Sequence, residues 1–417
     1  MSLKNEHKYT ARYALIQGVY WPVYCSSYSF VSVFLLSRGF SNATIGVILC
    51  LSNIFAVFLQ PAVANVADRK NKFSLRVLIV MLSTVSMLLA FGRCLIHGST
   101  YLMGVILVAE LTLIFTMQPL INALSVYLKN KGVNVYFGLA RGIGSVAFAI
   151  CSYIVGELIE RFGTMASPAT SVVLLILIIL FVLNLTRGID KDQPEIKKEL
   201  KEDIQPELQS DKTAAQSLTK EKKEDQGSII EFMMTYKRYM LLLFAVALVF
   251  TAHFFINNYI FQIIESVGGD AKNMGTAIAV AAAIELPAMV LFEPLLKKIR
   301  CDIILRLTLV FFTVKTILTL LAPSVFMVYV AQAFQFASYA FFIPASVYYA
   351  SRIIRKSDFV KGQAYMTGAI TAGGVFSGIA GGWLIDSFGV TIMMIVALVA
   401  SVIGMLIGLF SIEKVNS

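Results

Sequence analysis

Twelve stretches of this 417-residue chain are apolar over the length a helix needs to cross a bilayer, which is about 20 residues. They fall at 13–36, 43–67, 75–96, 100–127, 135–160, 164–186, 238–264, 274–298, 303–322, 324–350, 362–385 and 388–411. The runs are continuous and not alternating, which excludes a closed β-barrel. The helix is then the only way to satisfy backbone polar groups in lipid. With 58% hydrophobic and only 14% charged residues, the composition fits no soluble class. The expected fold class is an all-α membrane protein of twelve transmembrane helices.

The formal charge of +10 would point to nucleic acid in a soluble protein. Its placement points to a bilayer instead, and no nucleic-acid partner is expected. Basic residues gather in alternate loops: Lys4, Lys8 and Arg12; Arg69, Lys70, Lys72 and Arg76; Lys129 and Lys131; Lys237 and Arg238; Lys297, Lys298 and Arg300; Arg352, Arg355, Lys356 and Lys361. The intervening loops carry mainly Arg38, Arg93, Arg161 and Lys272. By the positive-inside rule this is a multi-pass protein of the cytoplasmic membrane with both termini in the cytoplasm. The first apolar run is long and lacks a small-residue cleavage site, so no cleavable signal is expected.

The stretch beginning at residue 187 is rich in Lys and Glu, contains Pro194 and Pro206 and cannot bury a core. It divides the chain into an N-terminal bundle, 1–186, a cytoplasmic linker, 187–237, and a C-terminal bundle, 238–417, with six spans in each bundle. The bundles share a string. Gly156-Glu157-Leu158-Ile159-Glu160-Arg161-Phe162-Gly163 ends the fifth span, and Gly382-Trp383-Leu384-Ile385-Asp386-Ser387-Phe388-Gly389 ends the eleventh. Pro119 and Pro344 stand at nearly the same offset, and together these features point to duplication.

Five ionisable side chains lie well inside the apolar runs, away from their ends: Glu110, Arg141, His253, Glu285 and Lys315. A charge at the membrane centre costs about 2.5–3.5 kcal/mol even on lenient insertion scales, so such residues usually line a path for a polar solute. That points to a transporter. The five cysteines, mostly within spans, show no ligand spacing and read as packing residues. The three histidines lie far apart, so neither a metal nor a cofactor is expected. No phosphate loop, nucleophile elbow or metal cluster marks an enzyme. A receptor would need a folded signalling domain, and the linker is too short and too charged for one.

Two halves of six spans with a charged linker resemble the major facilitator superfamily, whose halves rock about a substrate site at the midplane. The loop Ala64-Asn65-Val66-Ala67-Asp68-Arg69-Lys70 is similar to that family's cytoplasmic signature, with Ala64 and Asn71 where glycine is usual. The resemblance makes Asp68 and Arg69 a conformational latch. Phe137-Gly138-Leu139-Ala140-Arg141-Gly142-Ile143-Gly144-Ser145, followed by Phe148, resembles the lactose permease-like branch of oligosaccharide:proton and nucleoside:proton symporters. There the matching arginine binds sugar hydroxyls and the aromatic stacks on the ring, which assigns those roles to Arg141 and Phe148. Chemistry agrees, since a guanidinium offers five donors in a fixed fork.

Glu285 matches the same branch's acid on the eighth helix, opposite Arg141 across the halves. Asn122 stands near another acid of that branch, and Asn257 and Asn258 near an aspartate, completing the expected substrate set. Lys315 matches its ninth-helix arginine. The tenth span lacks the branch's His/Glu proton relay, and Gln335, Tyr339 and Phe342 stand there instead. The proton-coupling candidates are therefore Glu110, His253 and Lys315, with Glu110 as carrier, Lys315 or His253 setting its protonation, and Glu285 next in line as carrier. The expected protein is a monomeric importer of a sugar or small oligosaccharide, coupled to protons. Nucleoside:proton symport is the alternative, and multidrug export a further one.

Overall fold

The computed structural model describes residues 3–68, 74–96, 101–203, 229–355 and 358–415. Its helices are α1 (Glu6–Leu36), α2 (Asn42–Asp68), α3 (Leu75–Leu95), α4 (Tyr101–Asn130), α5 (Phe137–Phe162) and α6 (Ala166–Asp203). They continue as α7 (Lys237–Asn258), α8 (Ala271–Leu296), α9 (Cys301–Leu320), α10 (Val325–Ile353), α11 (Phe359–Phe388) and α12 (Val390–Ser411). Eleven of the spans are single helices by length and apolarity, and α8 is the twelfth when its two parts, bent by 43°, count as one. Pro287 and Pro294 lie inside α8, and each removes a ladder hydrogen bond and bends the axis. The protein is an all-α, twelve-span membrane fold.

Helix ends follow local chemistry. Asp270 and Asn273 form a reciprocal capping box that starts α8. The shared string ends α5 and α11 with the same backbone, since Gly163 has φ 82°, ψ 174° and Gly389 has φ 83°, ψ 171°. Only glycine adopts that region without strain. Part of the expected linker is helical. Residues up to Asp203 extend α6, and a short helix covers Ile229–Thr235.

One buried core runs from Tyr9 to Leu185 and a second from Phe232 to Val415. A third joins Cys25, Phe30, Val33, Val155 and Ile159 to residues of α7, α8 and α12. The halves meet where α5 packs on α8 and α2 on α11. Both contacts use the shared string's first glycine. A Cβ at Gly156 would stand 2.8 Å from the Ala271 carbonyl oxygen, and one at Gly382 would strike that of Asn42.

Polar contacts reinforce the same end, that of the α1–α2 turn. Asp386 accepts from the Asn42 and Ala43 backbone N–H groups at 3.1 and 2.7 Å and from Asn42 Nδ2 at 2.8 Å. A carboxylate at the first turn of α2 is favoured by the helix dipole. Gln262 Nε2 donates to Asn42 Oδ1 at 2.7 Å, and Lys272 pairs with Glu157 at 2.9 Å.

Candidate functional site

A cavity of about 410 Å³ lies between the halves, next to that closed end. Such a volume is within the range of small-molecule sites. Its rings come from several helices: Trp21, Tyr24 and Tyr28 from α1, Phe148 from α5, Phe254 from α7 and Tyr339 from α10. α1 and α10 each contain a widened π-helical turn beside it, at Cys25–Ser29 and Phe336–Ala340. The extra residue in such a turn re-aims the side chains around it, and Tyr28, Ser29 and Tyr339 face the cavity from these turns. Tyr24 carries the wall onward, with its ring centroid 5.0 Å from Tyr28 and 6.5 Å from Phe148.

Arg141 lines the cavity instead of reaching back to the membrane surface. Its guanidinium carbon sits 3.8 Å from the Trp21 ring centroid, a close cation–π contact. Nη1 donates to Ser145 Oγ at 2.7 Å. Trp21 is itself fixed, because its Nε1 donates to Gln17 Oε1 at 3.0 Å. Gln17 is fully buried and donates to Tyr13 Oη and Asn122 Oδ1 at 2.7 and 3.1 Å. Asn122 thus stands behind Trp21 and is not among the lining residues. The sequence expectation of a direct ligand there is corrected, since Gln17 and Trp21 fill the space in front.

Glu285 faces the same cavity from α8. Oε1 accepts from Gln335 Nε2 at 3.1 Å, and Gln335 Oε1 accepts from Lys315 Nζ at 2.7 Å. Lys315 is buried one step behind the wall and forms no ion pair among the described residues. Arg141 and Glu285 share the cavity without a direct salt bridge. Each is held by a neutral partner and keeps hydrogen-bonding capacity for a guest.

His253 and Asn257 also line the cavity, with Asn257 Nδ2 and His253 Nε2 2.8 Å apart. The imidazole stacks on Tyr339 at 5.3 Å and 10°. Asn258, one position on, points elsewhere. Its Oδ1 accepts from Tyr28 Oη at 2.7 Å across the halves, and its Nδ2 donates to Ser377 Oγ at 3.2 Å. Consecutive helix positions face about 100° apart, so only one of the two asparagines reaches the cavity.

Glu110 bonds to neither Lys315 nor His253, which ride on helices of the other half. It is fully buried and held by Arg93 of α3, with Nε to Oε2 and Nη2 to Oε1 both at 2.8 Å, and by Ser27 Oγ at 3.0 Å. The expectation that Lys315 or His253 tunes Glu110 is corrected. Arg93, which reads as a loop charge in the sequence, lies in the last turn of α3 with no exposed surface. Asp68 ends α2, and Arg69 falls outside the described residues.

Trp21, Tyr24, Tyr28 and Gln118 are lining residues that the sequence reading missed. The first three carry a signal, because their spacing of three and four residues repeats along one helix face.

The family model described as the MFS_1 like family matches residues 12–397. Among solved structures, the nucleoside transporter NupG superposes with a TM-score of 0.71 at 15% identity, covering 97% of this chain and 98% of that one. A point mutant of it gives 0.73 at 17% over the same shares. A bacterial metal transporter gives 0.66 at 12%, covering 97% of this chain and 99% of that one. No curated protein matches by sequence.

Proposed function

Because this chain belongs to the MFS_1 like family, which makes it a secondary transporter, we propose that its cargo is a nucleoside, imported by proton symport through alternating access. The observation that carries this reading is the pairing of flat aromatic walls with two charged groups, Arg141 and Glu285, that are not tied to each other. A nucleobase offers a flat π face and carbonyl acceptors suited to the rings and the guanidinium fork. A ribose offers vicinal hydroxyl donors suited to the free oxygen of Glu285 and to the Asn257 and Gln332 amides. The structural likeness to a nucleoside transporter supports the same cargo. A small sugar is the second reading, since Phe148 and Arg141 would serve a pyranose in the same way.

In this proposal residues 1–186 and 238–417 rock as two bodies. The basic loops place the α1–α2 end outside, so Asp386, Gln262 and the Lys272–Glu157 pair close the outer gate in this state. The proton site moves from Glu110, which Arg93 neutralises, to Glu285, the cavity carboxylate with no ion-pair partner among the described residues. The test is uptake into proteoliposomes from a panel of nucleosides and sugars, with and without an inward proton gradient. Gradient-driven accumulation of uridine but not of lactose supports the reading. Sugar accumulation without nucleoside uptake replaces it.

A further inference from the structure

Lys315 touches nothing in the cavity, yet the chemistry of its contact fixes what the cavity can recognise. An ammonium has three donors and no acceptor, whereas an amide has one end of each kind. The group that Gln335 turns toward Lys315 Nζ, 2.7 Å away, must therefore be its oxygen. With Lys315 as an ammonium, the contacts at the two ends of the amide agree on which end is which. The amide nitrogen is then forced toward Glu285, where it donates to Oε1 at 3.1 Å. One carboxylate oxygen is thereby occupied by a protein donor. The other, Oε2, makes no hydrogen bond among the described residues and, in the ionised state of Glu285, meets the guest as an acceptor.

We propose that Lys315 is a positioning residue that acts through Gln335 to set the hydrogen-bond polarity of the Glu285 end of the site. A cargo must there present hydroxyl or N–H donors. Resting on the nucleoside reading, this assigns the ribose diol to the Glu285 end. The ionisable groups that act on Lys315 from the helices around it are Glu285 of α8 and His253 of α7, while α12 has no ionisable residue in its sequence. No carboxylate lies within ion-pairing distance of Nζ among the described residues, so the Gln335 amide is the hydrogen-bonded link from Lys315 to Glu285, beside the through-space attraction between the two charges. Without the ammonium, the Gln335 oxygen loses its donor and the amide is no longer anchored from behind. Its nitrogen is then held by Glu285 alone, and the carboxylate loses its preset orientation.

The test compares binding of uridine and 2′,3′-dideoxyuridine to purified protein, together with melting temperatures without ligand. Wild type should prefer uridine. Lys315→Met should weaken uridine roughly ten- to a hundredfold, the worth of a hydrogen bond to a charged group, and leave the dideoxy analogue unchanged, so that discrimination collapses. Lys315→Arg, also a pure donor, should restore most of the discrimination. Gln335→Leu removes both the acceptor for Lys315 and the donor to Glu285, and should also lose discrimination.

The relay has a readout independent of cargo. Melting-temperature changes of Lys315→Met and Glu285→Gln should fail to add, and should add once Gln335→Leu is present. Additive changes in the wild-type background overturn the relay, as does intact discrimination in Lys315→Met. Wild type that binds no nucleoside but keeps the non-additivity supports the relay and sinks the nucleoside reading.

Discussion

Two arginine–glutamate sets sit in this protein, and they are built in opposite ways. Arg93 and Glu110 lie within one half, fully buried, joined by two contacts of 2.8 Å with Ser27 completing the carboxylate. Arg141 and Glu285 belong to opposite halves, face a cavity and are held apart by neutral partners, Trp21 with Ser145 on one side and Gln335 on the other. The first set spends its hydrogen-bonding capacity on itself. The second leaves capacity over, and spans the interface that must open. Residue type alone does not separate a helix clasp from a binding site; what separates them is the number of unsatisfied valences and the element each group rides on.

The largest effect expected from breaking this contrast is in stability, at Glu110. Glu110→Gln leaves the Arg93 guanidinium buried and uncompensated, a loss of about 3–5 kcal/mol for a broken buried pair. The thermal transition of purified protein should fall sharply. The Arg93→Met/Glu110→Met double variant should recover most of it and still transport. A Glu110→Gln protein that folds normally but no longer accumulates cargo would return this residue to proton coupling.

Next is Arg141. Arg141→Ala should abolish measurable cargo binding while shifting the melting transition little. Arg141→Lys should bind nearly as poorly, because a point charge replaces the planar fork and its stack on Trp21. Isothermal titration with uridine separates these outcomes.

Phe148 comes third. Phe148→Ala should weaken binding by about 1 kcal/mol, the added worth of one aromatic contact, with Phe148→Trp close to wild type. Equal affinity of Phe148→Ala and wild type would make this ring mere packing.

The smallest effect is at the gate. Asp386→Asn keeps one acceptor oxygen at the first turn of α2, turns the other into a donor and removes the charge, which by itself is worth about 0.3–1 kcal/mol at a helix N-terminus. Thiol labelling of a cysteine placed at the exposed Ser41 should increase modestly as this end opens more often, with transport retained.

Much of the fold is legible in the sequence because lipid leaves few options. Uninterrupted apolar runs of this length can only be helices, and the glycines of the shared string mark the positions where backbones of the two halves touch. The ends of the site are legible too. Arg141 and Glu285 stand out because a charge inside an apolar run is expensive. The middle is harder. Arg93 looks like a loop charge because it follows the apolar run it terminates, and only the packing of α3 against α4 reveals Glu110 as its partner. Asn122 and Asn258 sit one helix face away from the cavity, an angular fact that hydropathy does not carry. Trp21, Tyr24 and Tyr28 hide among the many aromatics of an apolar helix, and the widened turn at Cys25–Ser29 shifts the face they share.

The most direct test of the central claim is uridine titration of four purified proteins: wild type, Arg141→Ala, Glu285→Gln and the Arg93→Met/Glu110→Met double variant. Wild type and the double variant should bind, whereas Arg141→Ala and Glu285→Gln should show no detectable binding while still melting as folded proteins. Binding lost in the folded double variant but kept in Arg141→Ala and Glu285→Gln would contradict it, and would place the cargo site inside the N-terminal half.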